Sequence, residues 1–305
     1  MKKLIVVLIV IFSFRYLSAQ IAPVPDQYVL NPVLINPAAT GLRESLSIAG
    51  LFRRQWAGIK GAPETIMLIA DSPVFDGNTG LGFSIMRDKI GVTRETSVSG
   101  SYSYTTKAGE GSLSLGLKAG ILATNTAWSE LVALEPGDES MLSDSRTFIV
   151  PDFGFGAYYY NEKYFAGFSV PRLLGYRFNT DKNRYSLRID PGQYYYLFQG
   201  GYLIDLSEII RFQPSALLSL SPGEKMLLDI NAHFNFLEKV WAGVSFRTNR
   251  SFASMVQVAI NDQVKAAYSY YLDFGKLGHF STGTHEIMLR FDLQMKADVV
   301  NPLIF

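Results

Sequence analysis

The three histidines, His233, His279 and His285, are the residues to test first for chemistry, because imidazole is acid, base and metal ligand near neutral pH. None stands at a metal-ligand spacing from another histidine or from a carboxylate. His285 and Glu286 are adjacent, and neighbours on a strand face opposite ways, so the pair has no shared substrate. His233 beside Asp229 would need a serine from another strand, and no Gly-x-Ser-x-Gly elbow singles one out. The chain has no cysteine, which excludes thiolate sites, lipoprotein anchoring and a disulfide framework. The expectation is a protein that is not an enzyme and holds no metal or cofactor. Charge gathers instead in two loops. Residues 129–146 carry Glu130, Glu135, Asp138, Glu139 and Asp144 against Arg146, without the alternating Asp-x-Asp spacing of dedicated calcium loops. The next long loop carries Arg172, Arg177, Lys182, Arg184 and Arg188 against Asp181 and Asp190.

Those loops must be held by strands, because the chain alternates apolar and small-polar residues almost throughout. In residues 111–121, Leu113, Leu115, Leu117, Ala119 and Ile121 share one face, with Ser114, Gly116, Lys118 and Gly120 on the other. Leu228, Ile230, Ala232, Phe234 and Phe236 alternate with Asp229, Asn231, His233 and Asn235 in the same way. Fourteen segments read as strands: residues 44–55, 64–72, 80–87, 95–106, 111–124, 150–160, 163–172, 191–205, 210–220, 225–236, 239–248, 251–260, 264–274 and 284–295.

The chain opens with an export signal. Lys2 and Lys3 precede an apolar core at residues 4–14, and Leu17-Ser18-Ala19 offers a cleavage site before Gln20. Removing it leaves 25 basic residues against 27 acidic, a charge of about −2 that gives no reason to expect nucleic acid. No later segment approaches the ~20 apolar residues of a spanning helix, so any membrane crossing must be made by strands. The expected fold is all-β: a transmembrane antiparallel outer-membrane barrel of about fourteen strands, oily face to lipid and polar face to the lumen. A soluble β-sandwich would also alternate, with polar faces richer in Lys and Glu and poorer in Gly, Ser and Tyr.

Link lengths support the barrel. Every long link, including residues 125–149 and 173–190, joins an odd-numbered strand to the next even one, and the reverse links are short. Long loops outside and short turns inside place both termini in the periplasm. The expected organisation is a signal peptide at 1–19, a periplasmic lead-in at 20–43, the barrel at 44–295 and a periplasmic tail at 296–305. Alternation turns Lys118, Asp229, His233, Arg247, Lys265, Glu286, Arg290 and Asp292 into the lumen, to pair with one another or to line a charged conduit. Arg53, Arg54 and Trp56 are expected at the rim, the tryptophan as a headgroup anchor.

The lead-in reads Asp26-Gln27-Tyr28-Val29-Leu30-Asn31-Pro32 and Asn36-Pro37-Ala38-Ala39-Thr40-Gly41, followed by Arg53-Arg54-Gln55-Trp56 and Pro63-Glu64-Thr65. Gly283-Thr284-His285-Glu286 opens the last strand. These segments resemble the signature of the PorP/SprF family of the type IX secretion system: Q(F/Y)…NP…NPA…G, then R-x-Q-W and P-x-T, then G-(T/S)-H-E. The ending Asn301-Pro302-Leu303-Ile304-Phe305 departs from the family's P-R-(Y/F)-F. The resemblance implies an accessory outer-membrane barrel that helps a large surface protein, often an adhesin of gliding cells, to be secreted or retained through its C-terminal region. It also implies periplasmic secretion or motility components as partners, besides the membrane lipid. Expected partner contacts are Glu135, Asp138, Glu139, Arg177, Lys182 and Arg184 in the loops, and Tyr28, Asn36 and Pro37 in the lead-in. From the residues alone, Pro32 and Pro37 make the lead-in extended and turn-rich, its apolar side chains buried under or inside the barrel mouth. A passive channel for small solutes is the alternative function.

Overall fold

A strand whose faces differ in polarity can satisfy both only where one meets hydrocarbon and the other a polar interior, and hydrocarbon tolerates no unpaired sheet edge. The chain meets both conditions in one closed sheet. The computed structural model describes residues 24–43, 45–74, 77–130, 145–179, 184–221, 225–275 and 277–294. Its barrel strands are β1 (Ser45–Arg54), β2 (Glu64–Val74), β3 (Thr79–Ile90), β4 (Thr93–Ala108), β5 (Gly111–Thr126), β6 (Phe148–Tyr160) and β7 (Tyr164–Val170). After an excursion come β10 (Tyr196–Tyr202), continued past Leu203 as β11 (Ile204–Ser207), then β12 (Ile210–Leu220), β13 (Leu227–Phe236), β14 (Val240–Arg247), β15 (Ser251–Ala259), β16 (Val264–Asp273) and β17 (Thr284–Gln294). With β10 and β11 as one strand, the barrel has fourteen, each antiparallel to its neighbours. It closes where β17 pairs with β1, from Ser45 opposite Gln294 to Arg54 opposite His285.

The excursion holds strands that alternation did not reveal. Within the link expected at 173–190, β8 (Gly175–Asn179) and β9 (Arg184–Arg188) form a separate hairpin. The strand expected to start at residue 191 starts at Tyr196 instead. Pro191 opens a short 3-10 turn there, and the Gly192 amide donates to Asp190 Oδ1 at 3.0 Å. The acidic residues Glu135, Asp138 and Glu139, Lys182, the signal segment and the tail 296–305 lie outside the described residues.

Burial follows the alternation. Leu115, Leu117, Ile121, Ile287, Leu289, Phe291 and Leu293 are exposed on the outer surface, whereas Ser114, Met288 and Arg290 are buried within. Four links at one end, hereafter the long-link end, run over residues 55–63, 127–147, 171–195 and 274–283; turns at the opposite end, such as 109–110 and 237–239, are short. The outer band sets a clear expectation. Leu117 is 58% exposed at the middle of β5, so Leu117→Arg should cost about 2–4 kcal/mol of folding into vesicles, measured by urea titration. A cost near zero would mean that this face does not meet hydrocarbon.

Candidate functional site

The lumen is filled by the protein's own lead-in. Residues 24–43 form three one-turn 3-10 helices, Asp26–Val29, Pro32–Leu34 and Pro37–Ala39, each helix entered after or through a proline that fixes its backbone. Of the two positions open to this segment, beneath the barrel or within it, the structure shows the second. Tyr28, Val29, Leu30 and Ile35 pack against wall residues Leu197, Leu217, Trp241, Met255 and Met288. Ala38, Ala39 and Leu42 pack on the other side against Tyr158, Tyr160 and Phe165. The segment therefore has apolar neighbours on two walls, which a free periplasmic arm would lack.

Polar contacts fix its register. Glu286 accepts the backbone N–H of Gln27 at 2.9 Å and of Asp26 at 3.2 Å, while Arg53 Nε lies 3.4 Å from the same carboxylate. The Leu30 carbonyl accepts from both Arg43 (3.1 Å) and Arg290 (3.2 Å). Tyr28 accepts from Asn231 at 2.8 Å, and burial pushes its phenol well above the usual range, so it stays protonated. Asn36 caps its own turn by accepting from the Ala38 amide at 2.9 Å, and its amide donates to the carbonyls of Ala157 and Phe168. Ser169 donates to Ile35 O, Ser103 to Thr40 O, and the Gly41 amide to Asp71. Two wall glycines make the approach close enough: a Cβ on Gly116 would lie 2.2 Å from Ala38 N, and one on Gly156 1.9 Å from Asn36 Oδ1.

The sequence-derived inward residues all line this interior. Arg247 pairs with Asp229 at 2.6 Å and reaches Asp26 of the plug at 3.4 Å. Arg290 and Lys265 share Asp292, at 3.2 and 3.7 Å, and Lys265 also stacks over Trp241. His233 is buried against Gly243, where a Cβ would lie 2.1 Å from its ring. Lys118 pairs with Asp152 at 2.8 Å, beside Arg172. Tyr28, Asn36 and Pro37 are buried in the plug, and Arg177 and Arg184 belong to the β8–β9 hairpin.

Arg53 and Arg54 end β1 and face opposite ways: Arg53 points inward and is 3% exposed, while Arg54 faces out. Trp56 is half-buried with its indole nitrogen enclosed. Asp26, Arg43, Arg53, Asp71 and Asp152 were not singled out as lumen pairs; for Asp71 and Asp152, alternation within their strands was the available signal.

Between plug and wall lies a cavity of about 540 Å³. Its floor is Leu34, Ile35 and Pro37, and its walls rise past Met67, Ser99, Lys118 and Asp152 to Arg172 and Tyr195 at the long-link end. Among the described residues no group of three or more His, Asp and Glu is placed to hold a metal ion. His285 contacts Tyr268 Oη on the outer face while Glu286 holds the plug, so the adjacent pair is divided by the wall.

The family model for the type IX secretion system membrane protein PorP/SprF matches residues 17–291. The chain belongs to the PorP/SprF family. The CymD monoaromatic hydrocarbon channel matches at a TM-score of 0.53 and 10% identity, over 91% of this chain and 94% of CymD. Omp33 of Acinetobacter baumannii matches at 0.46 and 10%, over 84% of this chain and all of Omp33. At such identity the CymD likeness speaks for the barrel fold alone. No curated protein matches.

The lock at Glu286 can be broken singly. Glu286→Ala removes the acceptor of two plug amides and the carboxylate beside Arg53, a loss of about 3–5 kcal/mol for a buried pair. Hydrogen exchange at the Asp26 and Gln27 amides should rise by at least a hundredfold, roughly the equivalent of 2.8 kcal/mol, while the barrel stays folded. Unchanged exchange would mean that the apolar contacts alone hold the segment.

Proposed function

We propose that this outer-membrane barrel is a type IX secretion accessory protein that supports secretion or surface retention of a large partner, such as an adhesin, by binding its C-terminal region at the long-link end. In this reading that end faces the cell exterior, the short turns face the periplasm, and periplasmic secretion components meet the turn side. Family membership supports the secretion role. The observation that carries the reading over a passive solute channel is the filled lumen: residues 24–43 are hydrogen-bonded to the wall along its length. A passive pore needs an open lumen, whereas a protein that holds a partner gains a rigid base from a docked plug.

Three features at the long-link end could share the work: the β8–β9 hairpin, the link at 127–147 and the cavity beneath them. The cavity mixes apolar walls with the Lys118–Asp152–Arg172 cluster, a lining suited to an extended peptide that brings both side chains and backbone groups. The two loops carry opposite net charge, which sets orientation and encounter rate more than affinity. Exposed ion pairs there contribute about 1 kcal/mol or less, so the barrel does not depend on them.

The test is to shorten residues 127–147 and 173–190 in the native host and follow two readouts. The barrel should remain heat-modifiable in the membrane, and a co-purified secreted protein, identified by mass spectrometry from the intact barrel, should be lost from the cell surface. Normal retention of that protein would overturn the assignment to the loops and move the binding role to the lead-in or the cavity wall.

A further inference from the structure

The outer rim at the long-link end is not uniform. Around most of the circumference its lipid-facing residues are apolar: Ile149, Phe198, Ile230, Phe246, Phe252, Leu272 and Phe274 are all exposed. Over β1–β4 the same level is cationic. Arg54 on β1 and Arg87 and Lys89 on β3 are exposed on the outward face, in phase with exposed Phe52, Phe83 and Ile85. Strand register sets them side by side. Arg54 stands opposite Glu64, Glu64 opposite Lys89 and Lys89 opposite Arg94, so one row of the sheet reads Arg, Glu, Lys, Arg across four strands. Arg87 lies one step deeper, opposite Ile66 and Thr96.

Lys60 joins them from above. The link carrying it is tied to the β3–β4 turn by a 2.8 Å hydrogen bond from the Gly91 amide to the Gly61 carbonyl, and Lys60 is exposed. Arg94 pairs with Glu130 at 2.7 Å. Among the described residues, Arg54, Lys60, Arg87 and Lys89 form no ion pair within 4.0 Å, and the one carboxylate in their row is Glu64, cross-strand from Arg54 and Lys89. Neighbouring strands lie about 4.8 Å apart, so Arg54 and Lys89 stand roughly 10 Å apart at the upper edge of an apolar band. Cations in that place meet a phosphate-bearing headgroup whose acyl chains continue down the exposed Ile66, Leu68, Leu81 and Phe83.

The geometry points to a binding site on the outer face of β1–β4 for a bis-phosphorylated glycolipid of the lipid A type, held by Arg54, Arg87 and Lys89 with Lys60 above. Rows of cations two strands apart fit two phosphates carried on one headgroup, and arginine suits phosphate through its bidentate fork. The site rests on the proposed orientation, because only the long-link end at the cell exterior brings it to the glycolipid leaflet. It is separate from the lumen, where Arg53, the residue before Arg54, serves the plug.

The experiment uses the full chain extracted in mild detergent from its own outer membrane and examined by native mass spectrometry. A glycolipid adduct should survive on the wild type and fall by at least roughly tenfold in the triple variant Arg54→Gln, Arg87→Gln, Lys89→Gln, with heat-modifiability unchanged. The wild type alone gives a second readout: added bis-phosphorylated lipid A should bind, and the same lipid stripped of its phosphates should not. Equal binding of both lipids, or an unchanged adduct on the variant, overturns the site. Equal binding of phosphatidylglycerol overturns the glycolipid assignment and makes the patch a general anion surface. Lys60→Cys distinguishes the two failures: labelling from outside intact cells without a glycolipid adduct defeats this inference alone, whereas no labelling defeats the orientation and the inference with it.

Discussion

Closure of the sheet between its first and last strands is the constraint from which the rest of the molecule follows. A bilayer offers no partner to an unpaired strand edge, so β17 must find β1, and the register that results sets which residues face inward. That same strand holds the plug. Along β17, Ile287, Leu289, Phe291 and Leu293 meet lipid while Glu286, Met288, Arg290 and Asp292 meet the lumen; the first three of these contact the lead-in, and Asp292 pairs with Arg290. A shift of one residue at the seam would carry Glu286 and Arg290 into hydrocarbon and release the segment together with the closure.

Fourteen strands enclose more space than wall side chains can fill. The protein resolves this with its own N-terminal segment, whose prolines, short turns and alternating apolar and amide side chains suit a narrow polar sleeve better than a helix would. Small wall residues at Gly116 and Gly156 let the segment touch the sheet, and buried charges are neutralised in pairs that include plug residues. The lumen becomes a solid floor with a cavity above it. That floor gives the long-link end a fixed base.

Much of the barrel was legible in the sequence because alternation at a period of two is a direct record of which face meets lipid. Leu113 to Ile121 and Leu228 to Phe236 needed no tertiary information, and link lengths gave an independent test of the strand count. The lead-in was harder. Its Tyr28, Leu30 and Ile35 call for burial, and the wall provides it from strands such as β10 and β14, far away in the chain, so nothing local distinguishes a site under the barrel from one inside it. The pairing of Arg53 with Glu286 was hidden because Glu286 lies on the last strand. The β8–β9 hairpin escaped notice because a two-stranded arm outside the membrane carries no lipid-facing stripe. Residues that act through distant contacts are the ones a linear reading misses.

The most direct measurement of this account is the ionic current through single barrels in planar bilayers. The full chain should show no steady open level, and a variant lacking residues 24–40 but still folded should open a persistent pore. A stable open conductance from the full chain, unchanged when the segment is removed, would contradict the plugged lumen on which the proposed role depends.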